Sequence, residues 1–209
     1  MTDFIKKNWV YYLVNVFLAI GVYYASNLYD LTNHAHTHMF CLQTPLDKAI
    51  PFIPQFIVVY NSLRPVLYFT LVFFFIFHPK IFTAMASAFI SLFLISNGVY
   101  LVFQTYVPRP QLTPHTNWYV DQVIKLYKSD NPYNCFPSLH CGTSALAASF
   151  WFVKKRYKII AYIMAVWAFL IVLSTQFLKQ HVLADILGSF IAIGLYFLFY
   201  KIFRLETEK

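Results

Sequence analysis

The chain has 209 residues, 59% of them hydrophobic and only 11% charged. Soluble domains carry about 25% charged residues, so a water-soluble globular fold is excluded. The formal net charge of +8 would suit a nucleic-acid partner only if the basic residues formed a patch; instead they lie between apolar runs, where they report topology.

Six apolar runs approach the roughly 20 residues needed to cross about 30 Å of hydrocarbon. In chain order they cover residues 9–28, 52–77, 81–103, 138–153, 159–178 and 182–203. Backbone amides in lipid must be satisfied within their own segment, so each run is predicted helical. The expected fold is an all-α membrane protein, a six-transmembrane-helix bundle forming one domain over residues 1–209. The first run follows Lys6 and Lys7, but it is too long for a signal-peptide core and no small-x-small site follows it. It reads as a retained first helix. The 23 Phe and 16 Tyr suit a lipid-facing surface with aromatic belts.

An inside N-terminus places Lys6, Lys7, Lys80, the 154–158 cluster, Lys201, Arg204 and Lys209 on the cytoplasmic side. That is ten of the sixteen basic residues, with only three of the eight acidic ones, as the positive-inside rule requires. Both termini are then cytoplasmic, and the connections 104–137 and 179–181 lie outside. The longer of these contains one amphipathic stretch, Trp118 to Tyr127, suited to the membrane interface with Trp118 as anchor. The fourth run has 16 residues and reaches only about 24 Å, which sets its N-terminus at headgroup depth.

Three polar groups stand out. His181 and Asp185, in "STQFLKQHVLAD", are four apart at the start of the sixth run, a spacing that puts them on one helix face. A carboxylate one turn inside a membrane helix costs about 2.5–3.5 kcal/mol, and an imidazole N–H offsets that. The pair either pins helices or presents the other ring nitrogen as a nucleophile or base. In "NCFPSLHC", Pro137-Ser138 marks a helix start, and the unpaired N–H groups of its first turn form an anion site beside His140. In "TYVPRPQL", Arg109 sits between two prolines that hold the backbone extended and present a guanidinium suited to phosphate oxygens. All three fall on the same predicted side of the membrane. Together they form a constellation for phosphoryl transfer, against a proton-relaying transporter or a structural His–Asp lock as the other classes.

Arg109-Pro110, then Pro137-Ser138-Leu139-His140, then Ser174 with His181 and Asp185, resembles the three-part signature of the type 2 phosphatidic acid phosphatase superfamily, six-helix membrane phosphatases and related lipid phosphotransferases. The stretch "DKAIPFIPQFIVVY" is also similar to the segment leading into the second helix of some bacterial members. The resemblance implies that His181 attacks phosphorus and forms a phosphohistidine, that Asp185 orients it, and that His140 protonates the leaving oxygen. It implies that Arg109 and Ser138 bind phosphoryl oxygens, that no metal or cofactor takes part, and that the partner is a lipid phosphate. The implied setting is a bacterial cytoplasmic membrane with the site on its extracytoplasmic face.

The sequence departs from the signature at three positions. Val102 stands where a lysine is usual, Leu139 replaces a glycine, and Thr175 replaces an arginine, so two cations are missing from the phosphate cradle. Lys179 could replace one if the last helix starts after it. Arg64, about 20 Å up the second helix from its cytoplasmic end, is the other candidate. Leu139 and Thr175 resemble a branch that includes inositol-phosphorylceramide synthases, which leaves transfer to an alcohol as the alternative to hydrolysis. The tract "HAHTH" (His34, His36, His38) lies in an outer loop and reads as headgroup-facing rather than metal-binding. Cys41 and Cys135 could pair across the outer side, but three cysteines form no disulfide framework and read as free thiols.

Overall fold

The computed structural model describes residues 2–208; Lys209, counted above with the inner basic residues, lies outside them. A short helix α1 (Thr2–Lys7) leads into α2 (Trp9–Thr32). After a turn, α3 (Pro45–Ala49) starts with a capping box: the Thr44 hydroxyl accepts from the Asp47 N–H while the Asp47 carboxylate accepts from the Thr44 N–H, satisfying two orphan donors at once.

The second span is broken. A 3-10 turn (Pro54–Phe56) and α4 (Ile57–Asn61) are separated at Ser62 from α5 (Leu63–Phe77). Pro65 has no N–H to give the Asn61 carbonyl, which accounts for the break. Ser62 is pinned there from across the bundle, because the Trp167 indole N–H donates to its hydroxyl at 2.9 Å. The helix α6 (Pro79–Val102) runs through the middle of the molecule and packs on α2, α5, α8 (Leu139–Trp151) and α10 (Leu187–Ile202). Between α6 and α8 come a two-residue strand β2 (Thr105–Tyr106), parallel to β1 (Phe40–Cys41), and α7 (Trp118–Ser129). The amphipathic stretch noted in the sequence is helical here: Asn117 caps the N-terminus of α7, Val120 and Val123 face inward, and Trp118 is exposed.

Among the described residues, five helical stretches are long and apolar enough to cross a membrane: Trp9–Thr32, Pro54–Phe77, Pro79–Val102, Lys155–Phe177 and Leu183–Ile202. The fourth run, expected over 138–153, gives α8 with 13 residues, about 20 Å and short of a full bilayer. α8 is buried on nearly all sides against α9 (Lys158–Phe177), α10, α6 and α5. Its small residues Gly142, Ser144, Ala147 and Ala148 permit that, since close approach of membrane helices depends on small side chains. The outward faces of α2, α5, α9 and α10 carry exposed Phe, Ile, Val and Tyr, as a lipid-facing surface demands.

Candidate active site

α8 begins where the sequence predicted. Ser138 is its N-cap, accepting from the Cys141 N–H at 3.3 Å, and its own N–H donates to the Asp185 carbonyl at 3.0 Å. That second bond ties the start of α8 to a 3-10 turn (Leu183–Ile186) that precedes α10. The two segments meet because Gly188 has no side chain: a methyl there would overlap the Ser138 carbonyl oxygen.

His181 is not on a helix. α9 ends at Phe177, and residues 178–182 form an irregular connection. Lys179 turns the chain with φ of 52°, a left-handed position where a non-glycine residue is uncommon. Asp185 then folds back over the start of the 3-10 turn. One carboxylate oxygen, Oδ2, accepts from the Val182 N–H at 2.9 Å and sits 3.1 Å from His181 Nδ1. The pair expected from a shared helix face therefore forms, but by a carboxylate capping a helix start rather than by i, i+4 neighbours on a continuous helix. The contact fixes the tautomer of His181, since Nδ1–H donates to the carboxylate and Nε2 is left with its lone pair. Nε2 faces His140 Nδ1 at 3.4 Å, and the far nitrogen of His140 meets the Tyr60 hydroxyl at 2.7 Å.

The cations divide. Arg109 uses all four terminal N–H hydrogens: on the carbonyls of Tyr127 (3.3 Å), Asp130 (2.6 Å) and Asn131 (3.3 Å), and on Gln180 Oε1 (2.5 Å). It lies over the Tyr127 ring at 4.6 Å and caps the negative end of α7. Only its Nε, buried, has no partner, and the neighbouring Gln180 Nε2 is likewise unpaired. Lys179 turns away from the histidines, its ammonium donating to the carbonyls of Asp47 (3.0 Å) and Ile50. Burial lowers its pKa, an effect that Asp47 partly opposes. Asp47 also accepts from the Leu183 N–H at 2.7 Å, so the α3 turn is clamped to both sides of His181. Arg64, exposed, lies near enough to Tyr60 and His140 to act on both electrostatically. Val102, where a family lysine is usual, is 84% exposed, so no side chain at that position packs toward the histidines.

Among the described residues the donor cluster fit for a metal is Cys135, His181 and Asp185, whose ligand atoms lie within 4.8 Å of one another. It fits a metal poorly. His181 and Asp185 are already bonded to each other, and burial, together with the nearby Asp185, pushes the Cys135 thiol pKa well above its ordinary value, away from the thiolate that a metal requires. The histidines at 34, 36 and 38 form no such cluster, and Cys41, Cys135 and Cys141 are free thiols.

Sequence reasoning missed Tyr60, Gln180 and Asp47. Tyr60 and Asp47 bound the stretch "DKAIPFIPQFIVVY" noted above, and Gln180 adjoins the histidine, but none carries a signal of its own.

The family model of the PAP2 superfamily matches residues 80–208, more than half the chain, and the chain belongs to that superfamily. No curated protein and no solved structure matches it. Membership identifies a phosphatase-type membrane protein that acts on phosphoric esters.

Proposed function

We propose that this PAP2 superfamily member is a metal-independent lipid phosphate phosphatase, working through a phosphohistidine at the extracytoplasmic face of a single six-helix domain in which α8 is the short fourth crossing. The observation that carries the reading is the line Asp185–His181–His140, with contacts of 3.1 and 3.4 Å, at the N-terminus of a buried helix. In it, His181 Nε2 attacks phosphorus, and the P–O bond to the lipid breaks as the P–N bond forms. His140 gives the leaving oxygen its proton. Water then attacks phosphorus, the P–N bond breaks, and His140 takes up the water proton. Reacting atoms poised for attack lie about 3–3.5 Å apart, so a phosphorus before His181 takes up the whole gap to His140, and the rings part on binding.

Acid–base help is worth about 10²–10⁴, and charge stabilisation of the transferring group supplies most of the remainder. Ser138 and the N–H groups of the first turn of α8, the Arg109 Nε–H and the Arg64 guanidinium form that cradle. Lys179 acts from behind the loop, fixing its position through Asp47 and Ile50. Replacing His181 with Ala abolishes phosphate release from lipid phosphomonoesters or diphosphates in detergent, and a chelator leaves the wild-type rate unchanged; full activity in the variant rejects the mechanism. Leu139 and Thr175 support a second reading, transfer of a phospho-head-group to an alcohol as in inositol-phosphorylceramide synthases. Chromatography of the lipid products with and without alcohol acceptors separates the two.

A further inference from the structure

Thr175, which stands where an arginine is usual, turns its hydroxyl into its own helix, donating to the Val172 carbonyl at 2.7 Å. Its carbonyl accepts the N–H groups of both Gln180 (3.0 Å) and His181 (3.3 Å), so one atom anchors the two residues. The Gln180 side chain is 3% exposed, and its Oε1 accepts from Arg109 Nη2 at 2.5 Å. A guanidinium only donates, so this amide cannot turn over: its oxygen faces Arg109 and its NH2 group faces away. Among the described residues, that nitrogen and Arg109 Nε are buried donors with no partner. Each such orphan costs about 1–3 kcal/mol. Two of them, on side chains joined by one hydrogen bond, mark a place built for an acceptor. The guanidinium lies within electrostatic reach of Tyr60 and Cys135. Tyr60 is bonded to His140, and the Cys135 sulfur lies within 4.8 Å of the ligand atoms of His181 and Asp185. The two donors therefore stand beside the histidines.

We propose that Gln180 is a substrate-binding residue: its amide NH2 and the Arg109 Nε–H each donate to a non-bridging oxygen of the phosphoryl group, and the amide replaces, without charge, one of the cations missing from the cradle. The inference rests on the phosphatase reading of the site. The bond to Gln180 aims the guanidinium, whose other terminal hydrogens go to the carbonyls at the end of α7. Both donors are closed over while the rings of His140 and His181 face each other at 3.4 Å, and they are uncovered as the rings part. Gln180 and His181 are consecutive, so the segment that carries the attacking nitrogen also holds the group it attacks.

The test is nitrogen-15 NMR of the full chain in detergent, labelled at glutamine side chains and arginine Nε, with inorganic phosphate as the probe. Loss of a signal in Gln180→Glu and in Arg109→Lys identifies the two groups. Phosphate moves the Gln180 NH2 and Arg109 Nε–H signals together, with one dissociation constant, while chloride at matched ionic strength leaves them in place. Signals that do not move, or that chloride moves equally, overturn the proposal. Gln180→Glu gives a second readout, because its carboxylate still accepts from Arg109 but offers no N–H. Its unfolding temperature holds or rises, while KM for a lipid phosphate and the phosphate dissociation constant rise at least about tenfold, the worth of a hydrogen bond to a charged group. Gln180→Met, which adds no charge, raises both constants at least about tenfold as well; a rise confined to Gln180→Glu is charge repulsion and overturns the proposal. An amide that merely braces Gln176 Oε1, itself buried and unpaired among the described residues, gives a lower unfolding temperature with both constants unchanged, and that result also overturns it. A wild type that binds phosphate through these two signals yet releases phosphate from no lipid refutes the phosphatase reading alone.

Discussion

Gly188→Ala probes how closely the start of α8 must approach the start of α10. A methyl at 188 would overlap the Ser138 carbonyl oxygen and lie 3.1 Å from its backbone nitrogen and carbon. All three are backbone atoms, so no side chain can swing aside. Restoring ordinary contact moves the segments apart by on the order of an ångström, across the gap now spanned by the 3.0 Å bond from the Ser138 N–H to the Asp185 carbonyl. Overpacking costs about 1–3 kcal/mol and the lost hydrogen bond about 0.5–1.5 kcal/mol, against a helix-propensity gain of about 1 kcal/mol. The expected net loss is roughly 0.5–3.5 kcal/mol. A 1 Å misplacement of reacting groups can cost about 10²-fold in rate, and here Asp185 and Ser138 are themselves the displaced groups. The assay pairs apparent unfolding temperature in detergent with phosphate release, and compares Gly188→Ala with Gly194→Ala, where nothing lies within 4 Å of the added methyl. If the 188 variant is as stable and as active as the 194 variant, the close-approach argument is wrong.

Two further outcomes follow from the charged residues. Arg64→Gln removes an exposed guanidinium that lies within electrostatic reach of Tyr60 and His140; KM rises about ten- to a hundredfold, the worth of a charge-assisted hydrogen bond, while the unfolding temperature barely moves. An unchanged KM removes Arg64 from the cradle. Asp47 is buried, which raises its pKa, but hydrogen bonds from the Thr44 hydroxyl and the Leu183 and Thr44 N–H groups, with the charge of Lys179, outweigh burial and hold the carboxyl below its usual 3.8. Its stabilisation is therefore fully present above that value and is lost as pH falls through the lower folded pKa. The gap in unfolding temperature between wild type and Asp47→Asn stays constant from neutral pH to about 4 and closes below; a gap that persists in acid refutes the assignment.

The helical membrane architecture and the start of α8 at Ser138 were legible in the sequence, because apolar run length and helix-start chemistry are local signals; that residues 138, 140, 181 and 185 would meet came from their shared predicted side of the membrane and from the three-part signature. The way His181 and Asp185 meet was not: a four-residue spacing is shared by a helix face and by a carboxylate folding back over a helix start, and only the end of α9 at Phe177 separates them. Lys179 shows the same limit. Its proximity to His181 in sequence suggested a phosphate ligand, whereas the left-handed turn at its own backbone points the ammonium to Asp47 and Ile50. Arg109 was read from its flanking prolines as a presented cation, yet the C-terminal carbonyls of α7, some twenty residues on, take most of its donors. Tyr60 is one aromatic residue within an apolar run, and nothing in the run distinguishes it.

The stretch 178–182 hangs between two moorings that belong to different outer segments, Gln180 tied through Arg109 to the end of α7 and Lys179 tied to the α3 turn. In the proposed mechanism His181, next in the chain, carries the nitrogen that attacks. Breaking either mooring would free one side of His181, while α8 stays packed among α6, α9 and α10.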